Sequence, residues 1–306
     1  MAMADLSALS GALSGWVAAA APRLVGLEAD PSRVLPRGLQ RSGFMWTPGI
    51  VVGSEQGLPD GPLRAVLPGG AAVEAVPAGR DPGSNVAVFR VPPLQAEGWP
   101  DPVPGAGTLA VGTVVVLLGA DGRGGPAARL GLVNALGAAW TSMAGGRIDR
   151  LITLDATLPP QEEGGPVLDA AGGLLGMSTL GPRRRPLVIP TATVARVVQT
   201  LLSVGRMARG WLGAGLHPVA VPAALALAGA AAGLMVMSLA TGGPAEAAGL
   251  LPGDIILAMD GAAMEQPRAA AAALAALPPG QTVSLQLLRG GVMQIVTAVI
   301  GERPAC

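Results

Sequence analysis

The chain has 306 residues, half of them hydrophobic and only 13% charged, enough to bury a sizeable core in two or three domains. Twenty basic residues, all Arg, balance twenty acidic ones, so the basic excess that nucleic-acid binding needs is missing. With no Lys, no Tyr, one histidine (His217) and one cysteine (Cys306), the chain cannot assemble a P-loop lysine, a Schiff base, a nitrogen–sulfur zinc site or an intrachain disulfide. No metal and no cofactor are expected.

Residues Met1–Ala21 carry Asp5 and no basic residue, so the positively charged start of a secretory signal is absent. Leu6, Leu9, Leu13 and Trp16 fall at helical spacing and predict an amphipathic lead-in helix. A cytoplasmic location follows, or a periplasmic one if the true start lies upstream. From Val34 to Pro190, short apolar runs such as Thr113–Leu118, Leu151–Leu154 and Leu174–Met177 alternate with Gly/Pro/Asp clusters at Asp121–Pro126 and Asp169–Gly173. Many short strands at this spacing predict an all-β barrel or sandwich. Thr191–Val204 reads as a helix with Val194, Val197, Val198, Leu201 and Leu202 on one face, and Thr191 or Thr193 as its cap.

Gly205–Gly210 is polar, flanked by glycines, and reads as a linker. Gly210–Ala245 contains no Asp, Glu or Arg, yet His217, Pro218, Pro222, Gly229 and Gly233 interrupt it too often for a membrane helix, so the chain is read as soluble with no membrane span. Beyond it, strands at Gly233–Leu239 and Asp254–Met259, a helix at Pro267–Leu277, and a hairpin of Val283–Leu288 and Val292–Val299 around Arg289-Gly290-Gly291 predict a small independent domain.

Five segments in this order resemble the HtrA family of trypsin-like serine proteases with a C-terminal PDZ domain. They are Gly79–Val88, Leu130–Gly137, Asp155–Pro160 followed by Gly164–Asp169, Arg209–Gly213, and Gly243–Leu250 with Leu251–Ile256. The resemblance implies a mainly β fold, a chymotrypsin-like double β-barrel followed by a PDZ domain. Its expected boundaries are a lead-in helix and first strand at 1–33, the barrels at 34–204, a linker at 205–210 and the PDZ domain at 211–306.

The family mechanism needs a serine, an imidazole to take its proton, and a carboxylate to orient the imidazole. By resemblance these positions hold Glu163, Gln56 and Asn85. Two residues before the nucleophile position, where the family has Gly in its oxyanion loop, stands Gln161, followed by Glu162. His217 lies in the PDZ half, beyond the linker. The resemblance therefore implies a pseudoprotease, not an enzyme, acting as a binding or scaffold subunit with no catalytic residues. The alternatives are a hydrolase with an unrecognised site and a chaperone-like holder of unfolded chains.

Other features have plain readings. Glu162-Glu163 could be an acid–base pair or oxygen ligands for a metal, but adjacent acids on a loop are more often solvated. Arg183-Arg184-Arg185 could grip a carboxylate or phosphate, or be a solvated loop. Trp211, Leu212, Gly213 and Ala214 would by resemblance bind the carboxylate of a partner's C-terminal peptide, with the Pro267–Leu277 helix as the other wall of the groove. Protein partners and a homo- or hetero-oligomer are expected on the same basis.

Overall fold

The computed structural model describes residues 3–29, 40–59, 61–92, 109–121, 124–142, 144–221 and 231–302. The expected barrel start at Val34, the breakers Pro222 and Gly229, and Cys306 lie outside these residues. The chain divides into two compact units, residues 1–142 with 147–207, and residues 143–146 with 208–306.

The first unit opens with α1 (Met3–Ala20) and holds two closed six-stranded barrels. The first barrel comprises β1 (Leu24–Ala29), β2 (Arg41–Thr47), β3 (Ile50–Ser54), β4 (Leu63–Val66), β5 (Ala72–Asp81) and β6 (Val86–Arg90), in the order β1-β2-β3-β6-β5-β4. After β7 (Val114–Ala120) and β8 (Pro126–Gly137) come a small ladder of β9 (Trp140–Thr141) and β10 (Arg147–Ile148), then β11 (Leu151–Asp155), β12 (Pro166–Leu168), β13 (Leu174–Leu180) and β14 (Pro186–Pro190). The second barrel closes in the order β11-β14-β13-β12-β7-β8. The mainly β, chymotrypsin-like double barrel followed by a PDZ domain is the fold expected from the sequence.

Period-two alternation assigns the two faces of the inner strands to two different cores. Along β2, β3 and β6, Met45, Val51, Ala87 and Phe89 point into the first barrel, while Phe44, Trp46, Ile50, Val52, Val86 and Val88 join a cluster shared by both barrels. Along β7, Val115 and Leu117 fill the second barrel, and Val116 and Leu118 join the shared cluster. Strands apolar on both faces are what such a central layer requires.

The helix α2 (Thr191–Val204) has the expected bounds, and Val194, Val197, Val198 and Leu201 are buried in the shared cluster. Its capping differs from expectation. Pro190 is the N-cap residue, and neither threonine caps. Thr191 Oγ1 donates to the Leu174 carbonyl at 2.9 Å, and Thr193 Oγ1 donates to Asp149 at 2.8 Å. Both hydroxyls are buried, so tertiary acceptors claim them instead of the helix N-terminus. The lead-in helix also departs from its expected face, because Leu9 is exposed, and Leu13, Trp16 and Val17 make the packing contacts. Each helix also reaches the barrel farther from it in sequence. Trp16 of α1 lies over Gly172 in the β12–β13 turn, while the end of α2 rests on Gly79 of β5, where a Cβ would approach the Gly205 carbonyl within 2.6 Å.

The second unit is a small β domain. Its strands are β15 (Gly210–Trp211), β16 (Ala214–Ala220), β17 (Ala232–Leu239), β18 (Ile255–Met259), β19 (Ala262–Ala263), β20 (Thr282–Arg289), β21 (Val292–Val299) and β22 (Gly301–Glu302), with helices α3 (Pro244–Ala247) and α4 (Pro267–Ala276). The main sheet runs β16-β17-β18-β20-β21, with β19 on β18, and β15 pairs with β22. Gly290 and Gly291 form the β20–β21 turn with φ of 58° and 83°, the left-handed pair that a tight two-residue hairpin needs. No helix among the described residues is long and apolar enough to cross a membrane.

Asp254 is 2% exposed and ties the loop before β18 to the end of β20. It accepts from Arg289 Nε at 2.8 Å, Arg289 Nη2 at 2.7 Å and the Leu251 N–H at 2.8 Å. The guanidinium's hydrogen bonds hold its carboxyl below the usual carboxylate range. A depressed pKa stabilises the fold at pH values above the unfolded value of about 3.9, and this contribution disappears as pH falls through the folded value. Asp254→Asn should therefore lower the melting temperature at pH 7, and the gap from the parent should close below about pH 4 in a pH series of thermal melts.

Candidate functional site

The cleft between the barrels is built around one carboxylate. Glu163 follows a short 3-10 turn, Pro160–Glu162, and is 3% exposed. Its Oε1 accepts from four donors: Gln56 Nε2, Ser54 Oγ at 3.2 Å, Thr179 Oγ1 at 2.8 Å and the Leu180 N–H at 3.0 Å. Ser54 ends β3 and Gln56 follows it, while Thr179 and Leu180 end β13, so both barrels contribute. Asn85 completes the network from the β5–β6 turn. Its Oδ1 accepts the Gln56 N–H at 2.6 Å, which aims Nδ2 at Ser54 Oγ, 2.9 Å away, and Thr179 Oγ1, 2.6 Å away. Each hydroxyl has one proton, so accepting from Asn85 leaves that proton for Glu163.

Local structure aims Asn85. Asp81, 1% exposed, accepts from the N–H groups of Gly83 and Ser84 at 3.1 Å and from Ser84 Oγ at 2.5 Å, closing the turn. Asn85 then takes φ of 58°, a left-handed conformation that Asn tolerates better than most residues.

The 160–165 loop is held from every side. Arg129 on β8 grips Glu162 through Nε at 2.5 Å and Nη2 at 2.7 Å, a two-pronged pair that raises the Arg129 pKa. Ser42 of β2 donates its N–H to the Glu163 carbonyl at 3.0 Å and its Oγ to the Gln161 carbonyl at 2.9 Å. The N–H groups of Glu162, Glu163, Gly164 and Gly165 donate to Pro159, Pro160, Ser178 and Glu162 carbonyls. Gly164 takes φ of 94°, and a Cβ there would strike the Ser42 carbonyl. Gln161 sits in the 3-10 turn without a positive φ.

The structure thus brings Gln56, Asn85, Gln161, Glu162 and Glu163 together. Glu162 and Glu163 are buried, against the expectation of solvated acids. Sequence reading missed Ser42, Ser54, Arg129, Thr179 and Leu180, whose partners lie 16 to 119 residues away. His217 stands on β16, outside this unit. Among the described residues, no group of three His, Cys, Asp or Glu side chains is placed to hold a metal ion.

The second unit contains a groove. β16 is an edge strand of its sheet, and α4 packs alongside it. Between them an apolar pocket lined by Leu212, Leu216, Met259, Met264, Ala270 and Leu274 has a free volume of about 10 Å³, room for roughly one water. At its mouth the Leu212 and Gly213 carbonyls accept from Ala245 and Ala240, and no loop hydrogen bond among the described residues uses their own N–H groups. Gly213 has φ of 76°, and a Cβ there would lie 3.3 Å from the Trp211 ring and from Pro244.

Residues 41–177 match the trypsin-like peptidase domain and residues 210–299 the PDZ domain. A probable periplasmic serine endoprotease DegP-like from Rhizobium meliloti is 29% identical over 282 residues, 89% of this chain and 55% of that protein. Its counterpart from Brucella suis is 30% identical over 275 residues, 87% of this chain and 53% of that protein. The solved HtrA-type protease AlgW with decapeptide superposes with a TM-score of 0.74 at 26% identity, covering 96% of this chain and 99% of that one. The serine endoprotease from Yersinia pestis gives a TM-score of 0.74 at 25% identity, covering 95% and 98%.

The chain is a homologue of the HtrA-type proteases. It spans about half the length of the curated DegP-like relatives it matches. Two expectations change. The reading of the chain as no enzyme is overturned by relatives named serine endoproteases, which point to a protease. The cytoplasmic expectation finds no support, since the relatives are named periplasmic.

The Glu163 network predicts a stability effect. Glu163→Ala would leave the Ser54, Thr179 and Leu180 donors without their shared acceptor, while Gln56 keeps the Leu180 carbonyl, and each buried unpaired group costs about 1–3 kcal/mol. Urea unfolding should show a loss of at least about 2 kcal/mol, and Glu163→Ser, too short to reach all four donors, should lose a similar amount.

Proposed function

We propose that this HtrA-family protein captures the extended C-terminal segment of a partner protein in its PDZ groove and acts as a binding subunit for that partner. The supporting observation is the pairing of an edge strand with an apolar pocket and with Leu212 and Gly213 N–H groups that no loop hydrogen bond among the described residues uses. A peptide added alongside β16 gains ladder hydrogen bonds, its last side chain enters the pocket, and the Leu212–Gly213 backbone faces its carboxylate. Trp211 and Gly213 fix that backbone, and Ala214 begins the strand. The solved relative AlgW is named with a bound decapeptide, a ligand of the same kind. By likeness to the relatives, the working compartment is the periplasm.

In the barrel unit, Gln56, Asn85 and Glu163 occupy the places of the family's imidazole, aspartate and serine by resemblance. The relatives' names favour peptide hydrolysis. Because residues 1–207 contain no histidine, hydrolysis in this cleft would draw its proton acceptor from Glu162 or Glu163. Turnover of fluorescent casein by the full chain, compared with Glu163→Gln, tests this directly. Turnover lost in the variant assigns the chemistry to the carboxylate, and turnover kept removes it from Glu163.

The groove is tested with fluorescent peptides ending in a bulky apolar residue. The free acid should bind the full chain, and amidation of its C-terminus should weaken binding about tenfold or more. Leu216→Asp should abolish binding while circular dichroism stays unchanged. Equal affinity for acid and amide would remove carboxylate capture from the groove.

A further inference from the structure

A second recognition feature lies beside the Glu163 network and is independent of the PDZ reading. Leu180, whose N–H donates to Glu163 and whose carbonyl accepts from Gln56 at 2.8 Å, is the last residue of β13. The chain then turns through Gly181–Arg185 into β14, closed by the Gly181 N–H donating to the Arg185 carbonyl at 2.8 Å. Arg183 and Arg184 have φ of 58° and 57°. Two successive arginines thus occupy a backbone region that side chains disfavour and that Gly would relax. Such strain beside a cleft marks a position held for its side chain.

Arg183, Arg184 and Arg185 are exposed, and among the described residues none of their guanidiniums forms an ion pair or hydrogen bond. Next to Gln56, the Arg41 guanidinium packs against Gly57, and among the described residues its buried Nε has no hydrogen-bond partner. The two cleft acids are already engaged, Glu162 by Arg129 and Glu163 by its four donors. The Arg183–Arg185 guanidiniums therefore stand beside the cleft without an acidic partner among the described residues.

We infer that the Arg183–Arg185 loop, together with Arg41 beside Gln56, binds an acidic extended segment of a polypeptide. Guanidinium forks match carboxylates in two-pronged geometry. The chain's zero net charge and lack of Lys give it no wider basic surface for a phosphate backbone.

The test uses the full chain and fluorescence anisotropy with an Asp/Glu-rich peptide of about a dozen residues, amidated so that the PDZ groove cannot take its carboxylate. A matched Asn/Gln peptide, a single-stranded oligonucleotide and phosphatidylserine vesicles are the comparisons. The acidic peptide should bind about tenfold or more tightly than its neutral match at low salt, with the gap closing near about 0.5 M salt. Arg183→Gln/Arg184→Gln/Arg185→Gln should remove the gap. Arg183→Gly/Arg184→Gly should weaken binding while holding or raising the melting temperature. Leu216→Asp should leave acidic-peptide binding intact. Equal binding of the two peptides, acidic binding that survives the triple Gln variant or fails in Leu216→Asp, or binding confined to the oligonucleotide or vesicles would overturn the inference.

Discussion

A carboxylate withdrawn from water must be met by donors, because solvent no longer supplies them. Glu163 meets this requirement with four donors drawn from both barrels. The requirement propagates outward. Ser54 and Thr179 must each accept from Asn85 to leave a proton facing inward, Asn85 must hold a left-handed backbone to reach them, and Asp81 must close the turn that sets that backbone. One buried oxygen thus fixes side chains on β3, β13 and the β5–β6 turn, and with them the register of one barrel against the other.

The loop carrying Glu163 is constrained by independent means. An ion pair to β8, two hydrogen bonds from Ser42 and a glycine that tolerates contact with backbone all select the same path. Redundancy of this kind makes the loop rigid, since no single bond has to open for another to form. The PDZ unit is the opposite case. Its groove presents an edge strand and a small apolar pocket, whose shape depends on flexible Met and Leu side chains that can repack around a guest.

Local patterns disclosed local structure. The period of Val194, Val197, Val198 and Leu201 placed α2, and glycine pairs marked the β20–β21 turn. Patterns could not say which of two cores a face would join, because Ile50-Val51-Val52 is apolar on both sides. The threonines at the start of α2 were misread for a related reason: a capping residue is recognised locally, but the acceptors that took these hydroxyls lie on other elements. Gln56, Asn85 and Glu163 were brought together on paper only by family resemblance. Nothing in composition or spacing connects Arg129 to Glu162 or Ser42 to Gln161, since such pairs exist only once the barrels have closed.

The reach of each helix to the barrel farther from it in sequence has a consequence for how the chain is made. The amino-terminal helix leaves the ribosome first, yet the turn that receives Trp16 is about 150 residues behind it. The first barrel emerges next, but the surface around Gly79 stays uncovered until the residues of α2 have appeared. The first barrel therefore waits for α2, and α1 waits for the second barrel, so final closure of the unit is an event late in translation.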